Sequence, residues 1–281
     1  MDFTAPVVYS KLSLSSSLFL CFVLALLFVG SLYIWHSPHP RNHPETIKKR
    51  FAGILVSIVA SITILWAASS EDREDGFPLY WRLGIKLEGL VPAVFYPLIL
   101  TMVLFLGPLV MIIADGDLYS CLENSSHKHV LWWRNFFIAP LSEEFVFRSC
   151  MLTLLVPHFG QNWSVIICPL FFGVAHLHHV REQLRLKENR PPVHVIWMNA
   201  FFQFFYTSVF GAYSARLFIR TGHLVAPFVC HSFCNFMGFP DFGRIFELPR
   251  VRGFLLAATY VAGATGFFLL LDSLTKPELF A

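Results

Sequence analysis

Apolar runs long enough to cross a bilayer alternate along the chain with short polar loops that carry most of its charge. Uninterrupted apolar stretches of roughly 20 residues mark membrane-spanning helices rather than the one-sided stripes of a soluble bundle. They fall at 12–35, 51–69, 89–114, 135–157, 162–178, 194–219, 223–239 and 254–271. This pattern predicts an all-α, polytopic integral membrane protein with about eight transmembrane helices. The first run is too long for a signal-peptide core of roughly 7–15 residues and reads as an anchor. The loop 36–50 carries prolines and histidines, 71–88 is acid-rich, and 180–193 is strongly charged. With no internal repeat and no low-complexity tract, the reading is one membrane domain over 1–281, its chemistry concentrated in a core at 135–240.

Composition agrees: 56% of residues are hydrophobic and 14% charged, against roughly 45–50% and 25% in soluble domains. The net charge of +3, without a clustered basic and aromatic surface, argues against nucleic acid as a partner. The six cysteines, Cys21, Cys121, Cys150, Cys168, Cys230 and Cys234, lie mostly within apolar runs and lack metal-finger spacing. They read as small buried hydrophobes, although Cys230 and Cys234 flank His231 and make a nucleophilic thiol one alternative.

Lysine and arginine distribute unevenly between the two sets of loops. With the N-terminus on the luminal or extracellular side, the cytoplasmic loops hold thirteen: Arg41, Lys48, Lys49, Arg50, Lys128, Arg134, Arg181, Arg185, Lys187, Arg190, Arg244, Arg250 and Arg252. The opposite loops hold six: Lys11, Arg73, Arg82, Lys86, Arg220 and Lys276. The positive-inside rule therefore places both termini away from the cytoplasm. On this orientation the sequon at Asn124 faces the cytoplasm and stays unmodified, while that at Asn162 is luminal but against the membrane.

Ionisable groups inside apolar runs are costly and usually functional. The densest such stretch is Pro140-Leu-Ser-Glu-Glu-Phe-Val-Phe-Arg148. On a helix Glu144 and Arg148, four apart, share a face and suit an ion pair, while Glu143 points about 100° away and is left free. Phe172 and His176 are likewise four apart, with His178 expected to face away and His179 to meet the headgroups. His231 and Asn235 repeat the spacing. Glu143, His176, His231 and Asn235 then lie at similar depth in the cytoplasmic half of three separate spans.

A carboxylate and a histidine can activate water and later protonate a leaving amine. A second histidine with an asparagine can offer N–H donors to a tetrahedral oxyanion. The set suggests amide or ester hydrolysis. A zinc ion held by Glu143, His176, His231 and a water is stereochemically open. So are a proton-coupled transporter, which also uses membrane carboxylates and histidines, and a non-catalytic scaffold.

The ordered triplet Glu143-Glu144-x-x-x-Arg148, Phe172-x-x-x-His176 and His231-x-x-x-Asn235 resembles the type II CAAX prenyl endopeptidases, the Ras-converting enzymes. The words A-P-L-S-E-E-F-V-F-R and F-G-V-A-H-L-H-H are similar to the eukaryotic members. The resemblance implies a protease of the endoplasmic reticulum membrane, its active site facing the cytoplasm. Its substrates would be farnesylated or geranylgeranylated CAAX proteins, such as Ras-type small GTPases, from which it would remove the last three residues. It further implies that Glu143 and His176 activate water, that His231 and Asn235 form an oxyanion hole, that Glu144, Arg148 and Phe172 support them, and that no metal or other cofactor takes part. The prenyl chain would lie along apolar faces such as that of Phe201, Phe202, Phe204 and Phe205.

Overall fold

The computed structural model describes residues 12–68, 78–116, 129–185 and 190–281, and every regular element among them is helical. Cys121 and the sequon at Asn124 lie outside the described residues, as do Lys11, Arg73, Lys128 and Lys187.

Helix α1 (Leu14–Ser31) starts where the Ser13 hydroxyl accepts the Ser16 N–H at 3.2 Å, satisfying a donor that the first turn would otherwise leave open. After α2 (Pro44–Ala68) and the single turn α3 (Leu79–Arg82) come α4 (Leu90–Leu104) and α5 (Leu106–Asp115). These two are bent by 74° because Pro108 has no N–H for the carbonyl of Leu104. Then follow α6 (His129–Trp133), a π-helical turn (Arg134–Ile138), α7 (Ala139–Glu144), a second π-helical turn (Phe145–Cys150) and α8 (Met151–Ala175). The rest comprises α9 (His178–Leu184), α10 (Val193–Thr221), α11 (Val225–Met237), α12 (Arg244–Glu247), α13 (Arg250–Leu274) and a closing 3₁₀ turn (Pro277–Phe280).

By length and composition the described helices give four candidate membrane spans, or five if the bent α4–α5 pair is one. The expected eight is not established. One candidate, Val130–Leu184, joins two of the expected spans. It is broken at Gly160, whose φ of 66° and ψ of 176° no helix contains. Helix α10 falls outside the count although 194–219 was expected to span. Its Asn199, Gln203, Thr207, Ser214 and Arg216 lower its apolarity; of these Thr207 and Ser214 are buried against neighbouring helices, where polar side chains are tolerated.

The core follows from this division of labour. In α13 only 17% of the most apolar window is buried, as for a helix on the lipid side. Every residue from 144 to 156 is buried, and this segment packs with Cys21, Leu24 and Phe28 of α1 and Ala215 and Phe218 of α10 in one cluster. Glu144 and Arg148 therefore sit in the most enclosed stretch among the described residues.

Candidate active site

Pro140 shapes the segment that carries the two carboxylates. The Ala139 N–H donates to the carbonyl of Arg134, an i→i+5 bond, so the Asn135 carbonyl would look to residue 140 for its partner. Pro140 has no N–H to give, and the α-helical partner of Phe136 is the same proline. Both freed carbonyls are taken up by α11: Asn235 Nδ2 donates to Asn135 O at 2.9 Å and Ser232 Oγ to Phe136 O at 2.6 Å. Such π-turns often occur at functional positions. Here one ties the helix bearing Glu143 to the helix bearing His231 and Asn235. Ser232 was not singled out from the sequence, where nothing marks which serine meets an orphaned carbonyl one hundred residues away.

The two adjacent glutamates have different surroundings, as their helical spacing predicts. Glu144 is fully buried with Arg148, Oε2 to Nε 3.2 Å. The guanidinium carbon of Arg148 lies 4.2 Å from the ring centroid of Phe172, a cation–π geometry. Gly211 on α10 leaves room for this arginine: a Cβ there would come within 3.1 Å of Arg148 Nη2 and 2.9 Å of Pro169 Cβ. Glu143 keeps 21% of its side chain exposed and lines a cavity that it shares with Phe172 and His176.

His231 stands between the two carboxylates. Its Nδ1 is 2.6 Å from Glu144 Oε1 and its Nε2 is 3.7 Å from Glu143 Oε2. An ionised carboxylate only accepts, so Nδ1 carries the proton. Nε2 then points to the side on which Glu143 lies, and it is a donor when the ring is protonated. The edge of Phe210 (4.9 Å between centroids) and that of Phe172 (6.3 Å) hold the imidazole.

The same reasoning fixes His176. Its Nδ1 is 2.7 Å from the carbonyl of Phe172, which can only accept, so the proton is on Nδ1 and Nε2 presents a lone pair. His176 lines the same cavity as Glu143. A carboxylate and a basic imidazole nitrogen lining one cavity are the groups that water activation requires.

One expectation about neighbouring residues is corrected. His178 was expected to face away from His176, yet it lines this cavity, as does His179. Helix α8 ends at Ala175 in i→i+3 bonds (His176 N–H to Gly173 O, Leu177 N–H to Val174 O), and the chain restarts as α9 at His178. That break resets the facing which a continuous helix would impose. The cavity also receives Arg41, Arg50 and Arg134, which the sequence offered only as a topology signal.

Asn235 is exposed at the end of α11, one amide N–H spent on Asn135. Cys230 is fully buried and Cys234 partly so, both as free thiols. Among the described residues, the groups of three whose ligand atoms lie within 4.8 Å of one another are His39–His43–Glu45 and His178–His179–Glu182. Glu143, His176 and His231 are not such a group. In the second, Glu182 is already met by Arg50 at 2.5 Å, Tyr33 at 3.0 Å, His179 at 3.3 Å and Arg41 at 3.9 Å, so its oxygens serve as counter-charge to arginines.

Comparison with known proteins places these residues in context. Residues 125–237 match the family model described as type II CAAX prenyl endopeptidase Rce1-like. The chain is 48% identical to CAAX prenyl protease 2 of Homo sapiens over 276 residues, covering 94% of this chain and 82% of that protein. It is 41% identical to CAAX prenyl protease 2 of Rattus norvegicus (94% and 81% covered) and 33% identical to that of Arabidopsis thaliana (96% and 93%). No solved structure matches the chain.

Proposed function

Because this chain belongs to the type II CAAX prenyl endopeptidase family and is a protease of prenylated CAAX proteins, we propose a specific mechanism for it: Glu143 and His176 activate the water that cleaves the peptide bond. The observation that supports this most directly is their shared cavity, with the lone pair of His176 Nε2 left available by the Nδ1 bond to Phe172. The carboxylate takes the proton of the attacking water, and the same proton then goes to the leaving amine of the tripeptide. His231, in its protonated form, gives Nε2–H to the oxyanion while Glu144 balances the imidazolium through Nδ1. Asn235 contributes the N–H not used on Asn135. Arg148 and Phe172 hold Glu144 and the two rings in place.

The substrate approach follows from the orientation read in the loops. The prenyl chain reaches the site laterally from the bilayer, along apolar surface such as that of Phe201, Phe202 and Phe205, which are 73%, 49% and 61% exposed. The peptide enters from the cytoplasm, where Ras-type small GTPases would present it, and the membrane is that of the endoplasmic reticulum.

Two measurements test this reading. Purified protein in detergent is expected to release the terminal tripeptide from a farnesylated CAAX peptide and to leave the unprenylated peptide uncut. Equal cleavage of both would remove the lateral lipid route. A glycosylation-shift assay in microsomes is expected to find Asn124 unmodified; a glycan there would invert the orientation and with it the cytoplasmic site.

A further inference from the structure

The wall of the cavity that holds Glu143 and His176 also carries three guanidinium groups, those of Arg41, Arg50 and Arg134. Among the described residues Glu182 is the one carboxylate that meets them, through Arg50 and Arg41, so positive charge is in excess. Among the described residues Arg134 bonds only to neutral oxygens: Nε to Asn135 Oδ1 at 2.9 Å, Nη1 to Asn42 Oδ1 at 2.9 Å and to the Arg41 carbonyl at 3.5 Å. Among the described residues its Nη2 carries no hydrogen bond. An anion is the ligand that such a group lacks, and a planar guanidinium suits a carboxylate better than an ammonium does.

Length selects which anion. Arg134 and Glu143 lie nine residues apart on one helical stretch, about 13 Å along its axis at ~1.5 Å per residue. Three extended residues span at most about 10–11 Å, and the arginine side chain reaches over the difference. A tripeptide whose amide nitrogen sits at Glu143 thus brings its free C-terminal carboxylate into the range of Arg134. We infer that Arg134, with Arg41 and Arg50 fixed by Glu182, forms the subsite for the α-carboxylate of the substrate's last residue. This inference rests on the endopeptidase reading above and adds to it a determinant of where cleavage occurs: the enzyme measures three residues back from a charged chain end.

Kinetics on a farnesylated CAAX peptide made as the free acid and as the C-terminal amide test the subsite. Wild type is expected to prefer the acid at least tenfold in kcat/KM, mainly through KM. Arg134→Gln is expected to bring the acid-to-amide ratio below two, and Arg134→Lys, which keeps charge but loses the fork, to leave an intermediate ratio. A wild type that cuts acid and amide alike overturns the subsite while leaving the protease intact. A folded wild type that cuts neither overturns the underlying reading instead. Should Arg134→Gln fail to fold by thermal unfolding, the wild-type ratio and Arg134→Lys decide. Anionic lipid phosphate could use the same chemistry, so the assay is repeated in vesicles of zwitterionic lipid with and without phosphatidylserine. An Arg134→Gln protein that loses its response to phosphatidylserine while keeping the wild-type acid-to-amide ratio assigns the arginines to headgroups and overturns the proposal.

Discussion

Glu143→Gln is expected to lower kcat for a farnesylated CAAX peptide by ~10³–10⁴-fold with little change in KM. Glutamine keeps the shape and the cavity lining but cannot accept the proton of the attacking water. General-base catalysis contributes about 10²–10⁴-fold, and in the proposed mechanism the same oxygen also returns the proton to the leaving amine, so the upper part of that range applies. In barrier terms the loss is about 4–5.5 kcal/mol. Because the carboxylate acts on the water and not on the peptide in its ground state, the effect belongs in kcat. Exhaustive treatment with a chelator is expected to leave wild-type activity within twofold. A Glu143→Gln enzyme that retained a tenth of wild-type kcat would sink the assignment, and loss of activity on chelation with recovery on zinc would move the chemistry to a metal.

The difference between Glu143 and Glu144 was legible in the sequence because it is a property of one helix: four residues bring Glu144 to Arg148, and one residue turns Glu143 away. What the sequence could not supply is which helix stands opposite. That His231 inserts between the two glutamates, or that Ser232 and Asn235 close the carbonyls freed at Pro140, depends on packing between segments about ninety to one hundred residues apart. The outer spans were equally legible, since lipid demands an unbroken apolar surface. The inner ones were less so: α10 mixes Thr207 and Ser214 with apolar residues where it is buried, and the 74° bend between α4 and α5 leaves no single run to count. Arg41, Arg50 and Arg134 illustrate the limit from the other side. Each was read as loop charge, although Arg50 lies within α2 and Arg134 opens a π-helical turn, and none could be read as cavity wall until these elements were placed beside His176.

Removing the Glu144 carboxylate is expected to destabilise the fold more than any other single change in the site. Glu144 and Arg148 are both fully buried, and Glu144 is the one carboxylate paired with this guanidinium among the described residues. Glu144→Ala would leave the arginine charged in the core with the rings of Phe172 and, more distantly, Phe210 beside it, at a cost of about 3–5 kcal/mol. Thermal unfolding of the purified protein in detergent reads this as a large fall in Tm. The pair need not be a net source of stability, however, because replacing both members of a buried ion pair by apolar residues of similar volume is often neutral or better. Glu144→Leu combined with Arg148→Met is therefore expected to recover most of the lost Tm and none of the activity, since His231 Nδ1 would have lost its carboxylate. An unchanged Tm for Glu144→Ala would show that the arginine finds another partner. Recovered activity in the double variant would show that His231 needs no carboxylate at Nδ1 to serve the oxyanion. On these expectations stability and catalysis part company at this pair: the fold would need the two charges only to match, whereas the proposed reaction would need them to be present.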